Sequence, residues 1–291
     1  MSEIANEVAS QPACWQRATE VAAAISGDLP RDGERVAVVG CGTSLYVAQS
    51  YAALREAGGR GETDAFPASE FPPGRRYERV VAISRSGTTT EVLRLLDRLQ
   101  PGSRVVVTAD PGSPAASLAD AAVNLDFADE RSVVQTRFAT SVLAMLRAHL
   151  GEDLEAAIAD GQRATELPFP ADPASIRHAA FLGHGWTVGV AREAALKLRE
   201  ASRTYAEAYP AMEYRHGPVS LADSRSLVWV LGSPDGAIAD DARATGAEVR
   251  VAELDPMAEL VLAQRFAVAI AEVKGIDPDH PRHLSRSVVL S

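Results

Sequence analysis

Apolar runs and helical patterns alternate along the first part of the chain. Residues 35–40, RVAVVG, are short, β-branched and closed by glycine, which predicts a strand buried on both faces. CGTSLYVAQSYAALREAGG follows and predicts a helix that stops at Gly-Gly. Residues 79–84, RVVAIS, predict a second strand, with a helix from about 89 to 99. GSRVVVTAD at 102–110 predicts a third, followed by SPAASLAD and AAVNLDF. The β-α-β-α-β order predicts a parallel sheet with helices on both faces.

The pattern then returns. AAFLGHGWTVGVAREAALKLREAS (179–202) echoes VAVVGCGTSLYVAQSYAALREAG (36–58), each a strand, Gly-x-Gly and an alanine-rich helix. SLVWVLGSPDG (226–236) stands in the slot of VVAISRSGTTT, and GAEVRVAELD (246–255) echoes GSRVVVTAD, at offsets of about 143 to 149 residues. Two halves that converged on glycine turns would look similar, but echoes in the same order favour an internal duplication. The fold class predicted is α/β: two tandem subdomains, each a doubly wound parallel sheet flanked by helices, over residues 1–165 and 166–291. Residues 133–166 read as a long helical stretch, and LPFPADP (167–173) as the link between the copies. The duplication is unequal. The first copy carries SRSGTTTE after its second strand where the other has GSPDG.

The chain has 291 residues, enough for two modest domains. At 46% hydrophobic and 23% charged it has the composition of a globular protein. No apolar run approaches the roughly 18 residues of a spanning helix, and the first residues, MSEIANEVASQP, have no basic or apolar region of a signal peptide. Two cysteines, Cys14 and Cys41, make neither a disulfide framework nor a zinc motif, so a cytoplasmic location is expected. Formal net charge is −10, which disfavours nucleic acid and anionic membranes as partners. Among 29 basic residues only Lys197 and Lys274 are lysines, so each invites a question about its role.

A strand running into a helix N-terminus presents unpaired N–H groups and the positive end of the helix dipole, a ready anion site. Two such turns belong to the first copy: GCGTS (40–44) and SRSGTTT (84–90). Together they offer Thr43, Ser44, Ser84, Ser86, Thr88 and Thr89. One or two of these cap helices; six exceed what capping needs. The third glycine of a dinucleotide fingerprint is missing, there is no Gly-Lys-Ser/Thr loop, and Asp64 is a weak signal for a ribose partner. Hydroxyl-lined loops without lysine fit a single phosphate monoester.

On the helix after the second Gly-x-Gly, read through VAREAALKLREASRTYAEAY, Glu193, Lys197 and Glu200 fall on one face at spacings of four and three. Such triplets are usually solvated salt bridges. The alanine- and leucine-rich helix argues for packing, and a partly buried Glu200 can serve as a general base. Downstream, His216 stands in a constrained His-Gly-Pro loop. His149, His178, His184, His280 and His283 show no metal-ligand spacing, and neither metal nor cofactor is expected.

GCGTS, SRSGTTTE, ALKLREAS…AEAYPAMEYRHGP and the tail DPDHPRHLSRSVVLS together resemble the sugar isomerase (SIS) domain family, and within it the isomerase half of the glucosamine-6-phosphate synthases. The likeness runs in order along nearly the whole chain and implies two SIS subdomains, without the synthases' glutaminase domain. It implies that Thr43, Ser44, Ser84, Ser86 and Thr89 bind a sugar phosphate, with the backbone around Cys41, Gly42 and Arg85. ERSVVQT (130–136) resembles the family loop that approaches the sugar near Val133. Glu200 would move a proton between C1 and C2, Lys197 would polarise a sugar oxygen with Glu193 in support, and His216 would assist ring opening from the neighbouring subunit of a homodimer. Two positions depart from the family. Arg286 stands where the synthases carry a Schiff-base lysine, and arginine cannot act as an amine nucleophile. Arg85 stands where they have glutamine, and an inward-pointing arginine would add a charge to the phosphate site.

The chemistry expected is enolisation of an open-chain sugar phosphate. Reprotonation at C1 gives an isomerase; loss of ammonia from an amino sugar gives a deaminase. Expulsion of the C3 substituent gives a lyase, a dehydratase or etherase. A non-catalytic sugar-phosphate sensor is the alternative of another class; such regulators usually carry a DNA-binding domain, for which the chain has no room.

Overall fold

Among the described residues, nine strands form two all-parallel sheets. The computed structural model describes residues 2–25 and 27–290, so that Met1, Ser26 and Ser291 lie outside the described residues. Contacts divide the chain into two units.

The five-stranded unit is built on β1 (Val36–Gly40), β2 (Thr63–Pro67), β3 (Arg79–Ile83), β4 (Arg104–Thr108) and β5 (Ala121–Asn124), in the order β2-β1-β3-β4-β5. Val38 pairs with Ala65 on one side and Val81 on the other, and Val81 in turn with Val105. Every β1 residue is buried, as a central parallel strand covered on both faces requires. The crossovers are α3 (Thr43–Ala57), α4 (Thr90–Arg98) and α5 (Pro114–Leu118). In this order the winding reverses between β1 and β3, and ligands of such sheets bind outside the carboxyl ends of the strands at that reversal. The topology thus brings GCGTS and SRSGTTT to one edge, on adjacent strands.

The four-stranded unit repeats the plan with β6 (His178–Gly183), β7 (Tyr205–Pro210), β8 (Ser226–Val230) and β9 (Glu248–Val251), in the order β7-β6-β8-β9. Its helices include α1 (Glu3–Ala9), α7 (Glu155–Ala164), α8 (Thr187–Ser202), α9 (Ala237–Ala244) and α10 (Pro256–Val273). Helix α10 is apolar almost all round and packs on α8, α7 and α1, with Met257, Val261, Leu262, Phe266 and Ile270 buried. Among the described residues no helix is long and apolar enough to cross a membrane.

The fold corrects three details. Strands β2 and β7 were not expected. TYAEAY reads as a continuation of the alanine-rich helix, but α8 ends at Ser202 with Arg203 in the left-handed region (φ 52°), and the segment pairs with β6 as a strand. The stretch 133–166 is two helices, α6 (Arg137–His149) and α7, interrupted around Gly151 (φ 88°). The units also do not divide at 165/166. The five-stranded unit comprises residues 13–131, 137–154 and the tail from 285; the four-stranded unit comprises 2–12, 132–136 and 155–284. The ends are exchanged for identifiable reasons. The backbone N–H groups of Glu3 and Ile4 donate to the Asp279 carboxylate (2.9 and 2.8 Å), and Gln11 donates to Gln264 (2.6 Å).

Candidate active site

In the five-stranded unit, β1 delivers its chain to α3 through Gly40 and Gly42. A Cβ on Gly40 would lie 2.6 Å from the Ser44 carbonyl carbon, so glycine is what lets the helix start this close to the strand. Thr43 and Ser44 are buried in the first turn of α3; Gly42 (φ 54°) is exposed and Cys41 half-buried. Burial, and then the charge of Glu91, push the Cys41 thiol up.

After β3 the turn 84–89 folds on Gly87 (φ 60°), where a Cβ would meet the Ser113 hydroxyl at 2.0 Å. The Ser84 hydroxyl accepts from the Gly87 N–H (3.2 Å), and Ser86 accepts from the Thr88 N–H (3.2 Å) and hydroxyl (3.0 Å). Thr89 is the N-cap residue of α4, yet its side chain does not cap the helix. The Ser/Thr cluster is therefore mostly not engaged in capping.

The C-terminal tail lies against this turn. The Thr90 N–H donates to the Val288 carbonyl (3.1 Å), and the Leu290 N–H donates to the Thr90 hydroxyl (2.9 Å). Ser287 Oγ is 3.0 Å from Thr88 Oγ1 and 3.4 Å from Thr89 Oγ1. An open hollow of about 360 Å³ is lined by Ser86, Thr88, Asp110, Asp129, Arg286 and Ser287. Arg85, which would add charge to the phosphate site if it pointed inward, does not line this hollow. Only 5% exposed, it pairs with the fully buried Glu130 carboxylate (3.3 Å) and donates to the Arg286 carbonyl (3.3 Å). The Arg286 guanidinium donates to the Glu130 carbonyl and the Asp129 carboxylate. The two positions that depart from the synthase pattern thus meet at one acidic residue. Glu130 and Ser287 are the residues sequence reasoning missed. Both stand in quoted segments, but a buried residue whose carboxylate meets an arginine 45 positions away and whose carbonyl meets another 156 positions away leaves no local signal.

In the four-stranded unit, Gly183 repeats the role of Gly40: a Cβ there would lie 2.5 Å from the Thr187 carbonyl carbon. Helix α8 carries Glu193, Lys197 and Glu200 on one face, as their spacing predicts. The Lys197 ammonium, 1% exposed, lies 3.3 Å from buried Glu193 and 2.6 Å from Glu200, whose side chain is 20% exposed. This is no solvated salt-bridge face. Glu200 is the member of the triplet that reaches solvent, hence the one a ligand can meet. A buried cation held between two carboxylates also fixes where the Glu200 oxygens sit. The other lysine serves the fold. Lys274 Nζ donates to the Ser202 carbonyl (3.1 Å) and Thr204 hydroxyl (2.7 Å), closing the end of α8. Burial, then the charges of Arg177 and Arg203, lower its pKa.

His216 is exposed at the end of a 3-10 turn (Ala211–His216), followed by Gly217 at φ 140°. Val133 is half-buried in the segment 132–136, where the Ser132 N–H and hydroxyl donate to the Glu7 carboxylate. Contacts therefore group Cys41, Gly42, Thr43, Ser44, Ser84, Arg85, Ser86, Thr89 and Arg286 in one unit. Val133, Glu193, Lys197, Glu200 and His216 fall in the other. Among the described residues no group of three or more His, Cys, Asp or Glu is placed to hold a metal ion.

No family model matches the chain. Two parallel α/β units, each opening strand, Gly-x-Gly, helix, nevertheless make a fold similar to that of solved enzymes of phosphorylated sugars. The particular likeness is to glutamine–fructose-6-phosphate aminotransferase (isomerizing). The chain is 29% identical over 327 residues to that of Gloeobacter violaceus, covering 91% of this chain and 53% of the relative. It is 29% identical over 320 residues to that of Thermus thermophilus, covering 90% and 53%. It thus spans about half the length of these relatives. Among solved structures, glucosamine-6-phosphate deaminase from Thermotoga maritima superposes with a TM-score of 0.84 at 26% identity, covering 99% of this chain and 100% of that one. The C-terminal domain of glucosamine-fructose-6-phosphate aminotransferase from Francisella tularensis gives 0.82 at 21%, covering 96% and 98%, a likeness of fold.

Proposed function

We propose that the chain binds a phosphorylated sugar or amino sugar and moves a proton between its C1 and C2, as a phosphosugar isomerase or deaminase of the cytoplasm. One observation carries this: Lys197 is buried between Glu193 and Glu200, with only the Glu200 carboxylate reaching solvent. Under this reading Ser84, Ser86, Thr88 and Thr89, with Thr43 and Ser44, hold the phosphate through hydroxyls and helix N–H groups. Cys41, Gly42 and Val133 offer backbone to the sugar. Arg85 and Arg286 act through Glu130, holding the tail against the turn. Glu200 takes the C2 proton of the open-chain sugar and returns it at C1. Lys197 stabilises the charge developing on the enediolate oxygen, and Glu193 holds Lys197. His216, supplied to a neighbouring copy in a homodimer, exchanges the ring-opening proton.

Arg286 leaves open a second outcome of the same first step. Arginine offers no amine for a Schiff base, and its guanidinium is already engaged with residues 129 and 130. An enolate formed when Glu200 removes the C2 proton can then expel the C3 oxygen, which takes up that proton and leaves as water, giving a dehydratase.

The test is incubation in D₂O with fructose 6-phosphate, glucosamine 6-phosphate and N-acetylglucosamine 6-phosphate, followed by NMR at C1, C2 and C3. Deuterium at C1 or C2 is expected for the isomerase or deaminase, and loss of the C3 oxygen for the dehydratase. Binding without exchange of any of the three would overturn the enzymatic reading in favour of a sensor.

A further inference from the structure

A second cavity in the five-stranded unit shares no residue with the hydroxyl turns or the tail. It measures about 790 Å³ and opens between the segment 68–77 and the flank of α4. Its lining includes four arginines, Arg75, Arg76, Arg94 and Arg98, against one carboxylate, Glu91. In a chain of net charge −10 this is a local reversal of sign. Arg75 pairs with Asp64 at 3.2 Å. Arg76, Arg94 and Arg98 are exposed and make no hydrogen bond or ion pair among the described residues.

The same cavity carries an aromatic group that is already ordered. Phe71 and Tyr77 line the cavity and pack with Phe66, at centroid separations of 5.7 to 6.3 Å. The Tyr77 hydroxyl donates to Asp64 at 2.6 Å. A preformed aromatic wall loses little entropy when a ring stacks on it. Glu91, the carboxylate of the lining, has one oxygen, Oε2, that is buried and has no hydrogen-bond partner among the described residues. An unsatisfied carboxylate oxygen is costly unless something donates to it.

We propose that this cavity is a binding site for a nucleoside diphosphate. The base stacks on Phe71 and Tyr77, and its phosphates, carrying about three negative charges at neutral pH, meet Arg76, Arg94 and Arg98. Glu91 accepts from a base amine or ribose hydroxyl. The volume falls within the range of about 300 to 1,000 Å³ of small-ligand pockets. The site stands whether or not the proposed enzymatic activity holds.

The test is calorimetric titration of the full chain with ADP and UDP, with pyrophosphate and adenosine as separate arms. One diphosphate per chain is expected to bind, more tightly than pyrophosphate or adenosine. The double variant Arg94→Gln/Arg98→Gln should weaken binding by about tenfold or more while leaving sugar-phosphate binding unchanged. Ser84→Ala/Thr89→Ala should do the reverse. If the double variant fails to fold, Arg76→Gln, in a loop, serves in its place. The proposal is overturned if neither nucleotide binds at about 1 mM. It is also overturned if the serine and threonine substitutions abolish nucleotide binding while the arginine ones do not. A third contrary result is that the arginine substitutions change only the oligomeric state in size-exclusion chromatography, which makes the groove an interface.

Discussion

The two units begin with the same device and use it differently. Both need a glycine at the strand end, and both follow it with a glycine of positive φ, Gly42 and Gly185. In the four-stranded unit the turn is closed on itself. The Thr187 hydroxyl donates to the His184 carbonyl (3.0 Å) and accepts from the His184 N–H (2.8 Å). After β8, Ser233 bonds with the carbonyl and N–H of Asp235, whose carboxylate pairs with Arg215 at 2.6 Å. In the five-stranded unit Ser84 and Ser86 likewise accept from backbone N–H groups of their turn, but Thr88 bonds also with Ser86 and with Ser287 of the tail, and the Thr89 side chain does not cap its helix. The fold is satisfied without a hydroxyl cluster in one copy, so the fold does not require the cluster in the other, which the proposed function assigns to the phosphate.

Four measurements bear on this contrast. The largest effect is expected at α8. Glu200→Gln should slow deuterium exchange by about 100-fold or more while sugar-phosphate binding persists; normal exchange would remove Glu200 as the base. Next, Gly40→Ala and Gly183→Ala should each destabilise by about 1–3 kcal/mol or more in denaturant unfolding, because each Cβ meets helix backbone. A loss at only one site would break the parallel between the copies. Smaller again, Ser86→Ala should weaken sugar-phosphate binding by about 1 kcal/mol and Ser233→Ala should not, by titration of both; equal effects would erase the asymmetry. The smallest concerns Cys41. Burial and the Glu91 charge disfavour its thiolate, so alkylation should accelerate only at pH above the ordinary thiol range. Glu91→Gln removes an anion and should shift that rise to lower pH; no shift would show that burial alone sets it.

Much of this contrast was legible in the sequence. β-branched runs closed by glycine are buried parallel strands in both units, and the spacing 193, 197, 200 does place three charges on one face. What escaped was non-local. Strand β7 looks helical until β6 pairs with it, and β2 lies at the edge of its sheet, half-buried and without a continuous apolar run. The role of Arg85 was open because its partner is 45 residues away, and the burial of Lys197 depends on what packs over α8. No periodicity reports either.

The exchanged termini carry a practical consequence for dissection of the molecule. Severed between residues 165 and 166, the chain gives two fragments, neither of which encodes a whole unit. The amino-terminal piece takes with it α1 and α7, which pack on α10, and the carboxyl-terminal piece takes the strand of backbone that answers Thr90. Each piece thus lacks part of both units, and a boundary drawn for either unit has to follow the contacts rather than the order of the chain.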